Sequence, residues 1–139
     1  MSTILVAADA QWVRDQVRSA FVGPGQEVVE VTRGQDVRDT FAAIHPDLVV
    51  LDLQIGNMGG VAVAIDLRLE ESGGRLPRAR VLLLLDRRDD EFIARRADVD
   101  LTLVKPVDAG VLRRAAAPLL AAAAAERVEA DVDEPTSPN

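Results

Sequence analysis

Four charged residues directly follow apolar segments of the sequence, and their side chains are of the types that bind a metal ion or a phosphoryl group. Asp9, Asp52 and Asp86 each come after a short apolar run, and Lys105 follows another. Converging carboxylates repel one another unless a cation lies among them, and Mg²⁺ prefers such oxygen ligands. A nearby ammonium can neutralise a transferred phosphoryl group. A single aspartate after a strand is more often a turn former or helix cap, so only the combination of all four suggests a site.

These residues converge only if the apolar runs form neighbouring strands of one sheet. Helical segments, with apolar residues at steps of three and four, separate the five runs. The runs are residues 4–7, 27–31, 48–51, 81–85 and 101–104. Continuous apolar runs of this length suit strands that are buried on both faces. The order predicts an α/β fold: a doubly wound (βα)5, flavodoxin-like, open five-stranded parallel sheet with helices on both faces. Its functional crevice should lie beyond the carboxyl ends of the strands.

The C-terminal part of the sequence predicts a helix followed by a tail. Asp108 is a residue type that caps helices, so the last helix should begin there. Pro118 should kink or locally break this helix. From Glu126 onward the composition shifts to Glu, Asp, Pro, Ser and Asn. We therefore predict one domain over residues 1–125 and an acidic disordered tail over residues 126–139.

The composition excludes several other kinds of site. The 139 residues include no cysteine and one histidine, which rules out thiolate chemistry and a multi-histidine metal site within one chain. A net charge of −7 argues against nucleic acid as a direct partner. The N-terminus lacks the basic segment of a signal peptide, and the apolar run over residues 115–125 is too short to span a membrane. We expect a cytoplasmic protein that makes no membrane contact.

Three segments together resemble the receiver domain of two-component response regulators. Pro46–Gly60, with the sequence PDLVVLDLQIGNMGG, resembles that family's third strand, which ends in a phosphate-accepting aspartate before a loop with Met and Gly. Leu103–Pro106 resembles the Lys-Pro signature of the fifth strand, and Ile4–Asp9 resembles the acidic signature of the first strand. The resemblance covers residues 3 to about 122.

The resemblance implies a role for each residue at the predicted sheet edge. Asp52 would accept a phosphoryl group from a histidine kinase or phosphotransfer protein, and Lys105 would contact that group. Asp9, Asp52 and the backbone carbonyl of Gln54 would hold Mg²⁺. The Lys105–Pro106 bond is cis in similar proteins. The implied function is a stand-alone receiver domain that signals through a downstream protein target. Its only chemistry would be self-phosphorylation and autodephosphorylation at Asp52.

The sequence departs from the family pattern at several positions. Ala8 replaces the first of two adjacent acids, so we expect Mg²⁺ to bind weakly. Asp86 replaces a hydroxyl residue and would repel a phosphoryl group, although an alignment slipped by one residue puts Leu85 there. Arg87, where a small residue is usual, would either shield that repulsion or block access. Thr102 replaces the aromatic residue whose movement reports phosphorylation.

Other functions therefore stay open. The departures favour a phosphorylation-independent pseudo-receiver that acts as a protein-interaction module. A third alternative is an enzyme or cofactor binder of the same topology. Against it, residues 52–54 do not form the Asp-x-Asp motif of aspartyl phosphatases, and residues 8–11 lack the Ser, Thr and Gly of an FMN loop. The apolar face of the last helix also leaves homodimerisation open.

Overall fold

A computed structural model describes residues 1–56 and 58–133 as five strands that alternate with five α-helices. In chain order they are β1 (Ser2–Ala7), α1 (Gln11–Ala20), β2 (Gln26–Val31), α2 (Val37–Ile44), β3 (Leu48–Asp52), α3 (Gly60–Ser72), β4 (Val81–Leu85), α4 (Glu91–Arg96), β5 (Leu101–Val104) and α5 (Ala109–Asp133). Single 3-10 turns, Gly34–Asp36 and Arg88–Asp90, precede α2 and α4.

All five strands belong to one parallel sheet of order β2-β1-β3-β4-β5, which confirms the predicted fold class. Every residue of β3 and β4, two of the three inner strands, is buried. Alternate side chains of these strands enter two separate cores, one formed with α2, α3 and α4 and the other with α1 and α5. Burial on both faces explains why these segments are continuously apolar in the sequence. None of the helices in the described part of the chain is both long and apolar enough to cross a membrane.

Helix α5 begins where the sequence predicts. The side chain of Asp108 accepts a hydrogen bond of 2.8 Å from the backbone N–H of Val111, as an N-cap does. Pro118 lies inside α5 without the expected local break, because the helix continues on both sides of it. Leu112, Ala116 and Leu119 pack against the sheet and hold the helix in place around the proline.

The helix also continues past the expected boundary at residue 125. Arg80, just before β4, is only 8% exposed and needs a counter-ion. Glu126 supplies it by accepting hydrogen bonds from both terminal nitrogens of Arg80, one of them 3.1 Å long, and Arg127 pairs with Asp47. The expectation of a disordered tail is therefore wrong for residues 126–133, which are helical. Residues 134–139 lie outside the described residues.

The Arg80–Glu126 pair predicts a stability difference that depends on pH. The hydrogen bond from Arg80 lowers the pKa of Glu126 below its ordinary 4.5. The pair therefore stabilises the fold above the ordinary pKa, and this contribution is lost as the pH falls through the lowered pKa. At pH 7, Glu126→Gln should lower the melting temperature by about 2–4 °C. The difference from wild type should shrink toward zero in acid.

Glu129→Gln provides the matched control, because Glu129 is exposed on the same part of α5. Its melting temperature should follow that of wild type over the whole pH range. An equal loss in Glu129→Gln, or a difference for Glu126→Gln that persists at the lowest pH, would contradict the assigned role of the pair.

Candidate functional site

The register of the sheet places three of the sequence-predicted charged residues on one face. Asp52 is the strand partner of Leu84, and Leu85 is the partner of Val104. The backbone N–H of Lys105 donates a hydrogen bond of 2.8 Å to the carbonyl of Leu85, which continues the ladder by one residue. Asp86 and Lys105 are therefore neighbours, two residues beyond the level of Asp52. Because side chains alternate along a strand, all three lie on the face that packs against α1 and α5.

Asp52 is a buried carboxylate, only 2% exposed, at the end of the central strand β3. The ammonium of Lys105 forms an ion pair with its Oδ1 atom. The backbone N–H of Gln54 also donates to Oδ1, at 3.3 Å. A charge this deeply buried is costly unless it is paired, so Lys105 is the cation that makes this position tolerable for a carboxylate.

Asp86 shares the same ammonium group. Its Oδ1 atom lies 2.8 Å from Nζ of Lys105, and its side chain is 37% exposed. Burial alone would lower the pKa of Lys105, but hydrogen bonds from its ammonium to Asp52 and Asp86 outweigh burial and raise it above 10.5. The hydrogen bond from Lys105 lowers the pKa of Asp86 below 3.8. The site is therefore a triad in which one ammonium contacts two carboxyl groups.

The slipped alignment, with Leu85 in the site, does not agree with this geometry. Leu85 is fully buried in the core with α2, α3 and α4, on the opposite face from Asp52. Asp86 is thus the residue that enters the site from the end of β4. Arg87 is exposed on the loop that follows, and its charge makes a minor contribution to the low pKa of Asp86. The side chain of Arg87 therefore lies at the rim of the site.

Asp9 lies on the loop after β1 and is exposed. Its Oδ2 atom accepts a hydrogen bond of 3.0 Å from the backbone N–H of Gly56, which joins this loop to the one after β3. Sequence reasoning missed Arg14, which fixes the Asp9 loop from α1. One guanidinium nitrogen of Arg14 donates to the carbonyls of Ala8 and Asp9, at 2.8 Å each. The position of Arg14 one helical turn into α1 is a signal that could have revealed this contact.

Ala8 is fully buried, and its methyl group belongs to the core that α1 and α5 form with the sheet. The last strand pair between β1 and β3 is Ala7 with Leu51, so Ala8 lies level with Asp52. An acid at position 8 would therefore stand next to the buried Asp52 carboxylate. With alanine at position 8, this part of the site has one negative charge fewer than the family pattern.

The oxygen donors near Asp52 fit Mg²⁺ in kind but are few. Asp9, Asp52 and the carbonyl of Gln54 are hard oxygen donors of the type that Mg²⁺ takes, and water would complete its octahedron. Within residues 1–56 and 58–133, no three or more Asp, Glu, His or Cys side chains form a group that could hold a metal ion. The donor set thus matches Mg²⁺ in chemical type, with one acid fewer than the family pattern because position 8 is alanine.

Thr102 lies on the other face of the sheet from the triad. Its strand partner is Leu83, which packs in the core with α2, α3 and α4. Thr102 lines an open groove of about 320 Å³ between α4 and β5, together with Ala94, Arg95 and Val99. No aromatic ring is available at this position to move between the groove and the core.

A five-stranded parallel sheet of this order, with a buried aspartate at its centre and a lysine before a cis proline at its edge, is the architecture of a receiver domain. The Lys105–Pro106 bond is cis, as the resemblance implies. The family model of the response regulator receiver domain matches residues 4–117, and the chain belongs to this family. Such domains are regulatory modules that interact with histidine kinases or phosphotransfer proteins, and they normally bind Mg²⁺ in an acidic pocket.

Similar solved structures show the same fold. One is the signal receiver domain of a histidine kinase from Syntrophus aciditrophicus, with a TM-score of 0.75 and 20% identity over 88% of this chain and 92% of that chain. Another is the chemotaxis protein CheY4 of Vibrio cholerae, with a TM-score of 0.74 and 17% identity over 86% of this chain and 98% of that chain.

A curated relative is the regulatory protein AtoC of Escherichia coli K12. It is 31% identical over 72 residues, which are 52% of this chain and 16% of that protein. The chain therefore matches only a small part of this longer relative.

The buried methyl group of Ala8 leads to a prediction about metal binding. Ala8→Asp should tighten Mg²⁺ binding, because it adds a carboxylate next to Asp52. Without Mg²⁺ it should lower stability by about 1–3 kcal/mol, because it buries a polar group beside a like charge. Titration calorimetry with Mg²⁺ and thermal melts with and without the metal measure both effects.

Ala8→Asn is the matched control, since it has nearly the same shape without the charge. Ala8→Asn should lose a similar amount of stability in the absence of metal. Added Mg²⁺ should restore the stability of the Ala8→Asp variant only. Equal Mg²⁺ affinity in wild type and Ala8→Asp would show that position 8 does not face the metal site.

Proposed function

We propose that this receiver domain accepts a phosphoryl group on Asp52 from a histidine kinase or phosphotransfer protein, and that it signals by contacts with a downstream protein target. The observation that carries the proposal is the ion pair between the buried Asp52 carboxylate and the Lys105 ammonium. An aspartate held by a cation at the carboxyl edge of a parallel sheet is in position for phosphoryl transfer.

The contacts of Asp52 suggest which of its oxygens reacts. Lys105 and the backbone N–H of Gln54 both contact Oδ1. Oδ2 is the oxygen left free of these two contacts, and we assign it as the nucleophile. In the transfer, Oδ2 would form a bond to the phosphorus of a phosphohistidine as the phosphorus–nitrogen bond breaks. The Lys105 ammonium would then offset the charge of the new acyl phosphate.

The proposal includes a weakly bound Mg²⁺, with Asp9, Asp52 and the carbonyl of Gln54 as its ligands. Bound there, the cation would neutralise charge on the phosphoryl oxygens. We also propose a cytoplasmic location. Direct contact with nucleic acid is not part of the proposal, because the chain carries a net charge of −7. Any catalysis would be limited to self-phosphorylation and autodephosphorylation at Asp52.

One observation favours a second function, that of a phosphorylation-independent interaction module. Lys105 is already paired with two carboxylates, Asp52 and Asp86, so its charge is neutralised without a phosphoryl group. In such a module the triad would hold the strand ends in one fixed arrangement that a partner recognises. The two functions differ in whether Asp52 is modified at all.

Phosphoryl transfer measured by intact mass distinguishes them. The protein is incubated with Mg²⁺ and either acetyl phosphate or a phosphorylated histidine phosphotransfer protein. Wild type should gain the mass of one phosphoryl group, because Asp52 combines a free oxygen with a cationic partner. The variant Asp52→Asn should gain none. Peptide mapping should place the label on Asp52.

Asp89→Asn is the control for the change in net charge, because Asp89 is exposed on the loop after β4. It should be labelled like wild type. Label on another residue, or an unchanged label in Asp52→Asn, would refute the assignment of Asp52. No label on wild type from either donor would favour the interaction module.

A further inference from the structure

Asp86 is a negatively charged group placed where an incoming phosphoryl group must bind. A phosphoryl group on Asp52 needs Lys105 as its cation. The ammonium of Lys105 is contacted from one side by Asp52 and from another by Asp86, at 2.8 Å. Asp86 therefore occupies a hydrogen-bonding position on the same group that would stabilise the product.

The register of the sheet makes this contact a fixed feature of the fold. Leu85 and Val104 are strand partners, and Lys105 continues the ladder through its hydrogen bond to the carbonyl of Leu85. Asp86 and Lys105 thus leave adjacent strands at the same level and on the same face. Two opposite charges in this relation meet without any distortion of the backbone.

The three side chains of the triad differ in their exposure to solvent. Asp52 is 2% exposed, Lys105 is 11% exposed and Asp86 is 37% exposed. Asp86 is thus the most exposed member of the triad. An incoming phosphoryl group therefore approaches a site whose most exposed triad member is a carboxylate.

We propose that Asp86 is an internal anion that holds Lys105 while Asp52 is unmodified, and that it competes with the phosphoryl group for this lysine. The inference rests on the proposed function, since it concerns the same site. Competition of this kind lowers the affinity of the site for phosphoryl groups and their mimics. It also means that binding must displace Asp86 from Lys105.

Displacement of Asp86 has a path into the rest of the fold. Asp86 directly precedes Arg87, whose backbone N–H donates a hydrogen bond of 3.0 Å to the side chain of Asp90. Asp90 is buried and lies at the start of α4. Through Arg87, the position of Asp86 in the chain is thus adjacent to a hydrogen bond that fixes the beginning of α4.

Beryllofluoride, which mimics a phosphoryl group on aspartate, tests the competition by titration calorimetry in the presence of Mg²⁺. Asp86→Asn keeps the shape of the side chain and removes its charge, so it should bind the mimic about fivefold more tightly than wild type. The gain should shrink at high salt, where the removed charge matters less. Asp89→Asn, with the same change in net charge on the same loop, should stay within about twofold of wild type. Thermal melts verify that all variants are folded.

A second readout follows the displacement itself. In wild type, the mimic should shift the backbone amide resonances of residues 86–91 in a heteronuclear correlation spectrum. In Asp86→Asn these shifts should be smaller, because no charged contact with Lys105 has to break. Equal affinities for Asp86→Asn and Asp89→Asn would overturn the proposal, and so would a failure of both wild type and Asp86→Asn to bind the mimic.

The inference and the proposed function fail in different ways. Phosphoryl label on Asp52 tests the proposed function. The ratio of the beryllofluoride affinities of Asp86→Asn and Asp89→Asn tests the competition. If wild type takes no label but Asp86→Asn is labelled on Asp52, then phosphoryl acceptance by the native chain is refuted and the blocking role of Asp86 is supported. If wild type is labelled and the two affinities are equal, the function stands and the competition is refuted.

Discussion

A carboxylate buried at the end of the central strand needs a positive charge beside it, and the arrangement of the site follows from that need. Asp52 is almost completely covered, and Lys105 reaches it from the end of β5 across the intervening strand β4. The strand register must therefore bring the ends of β3 and β5 to compatible levels. Close packing of α3 against the end of β3 is a second requirement of this arrangement. Gly60 meets the second requirement, because a Cβ atom there would overlap the carbonyl oxygen of Asp52.

In this receiver domain the lysine is already paired with two carboxyl groups when no phosphoryl group is bound. Asp86 contributes a second carboxylate to Lys105, and Ala8 removes an acid from beside Asp52. Relative to the family pattern, the two changes leave less negative charge beside Asp52 and more at the exposed Asp86.

The sequence predicts both the fold and the residues that gather at the site, because both depend on where the buried strands begin and end. Continuous apolar runs specify buried parallel strands, and the carboxyl ends of such strands meet at one edge. Side-chain direction is not encoded in this way. Whether Asp86 turns toward Lys105 or toward solvent depends on the register of β4 with β5, which no local pattern reveals.

Two of the features that sequence reasoning missed are also tertiary in origin. Helix α5 continues beyond residue 125 because the buried Arg80, just before β4, needs Glu126, whereas the local composition of the tail indicates disorder. Arg14 lies on a helix face whose periodicity indicates exposure, yet it turns back to the carbonyls of the Asp9 loop. In both cases the long side chain of an arginine makes polar contacts that no local sequence pattern indicates.

A double-mutant cycle in unfolding free energy, on Asp52→Asn, Lys105→Met and the two together, tests the central claim most directly. Lys105→Met leaves the buried carboxylate unpaired and should cost about 3 kcal/mol, most of which should be regained when Asp52→Asn is added. The predicted result is a coupling energy of about 2 kcal/mol between the two positions. Effects that add to within about 0.5 kcal/mol would show that Lys105 does not compensate the buried charge of Asp52, and would contradict the account.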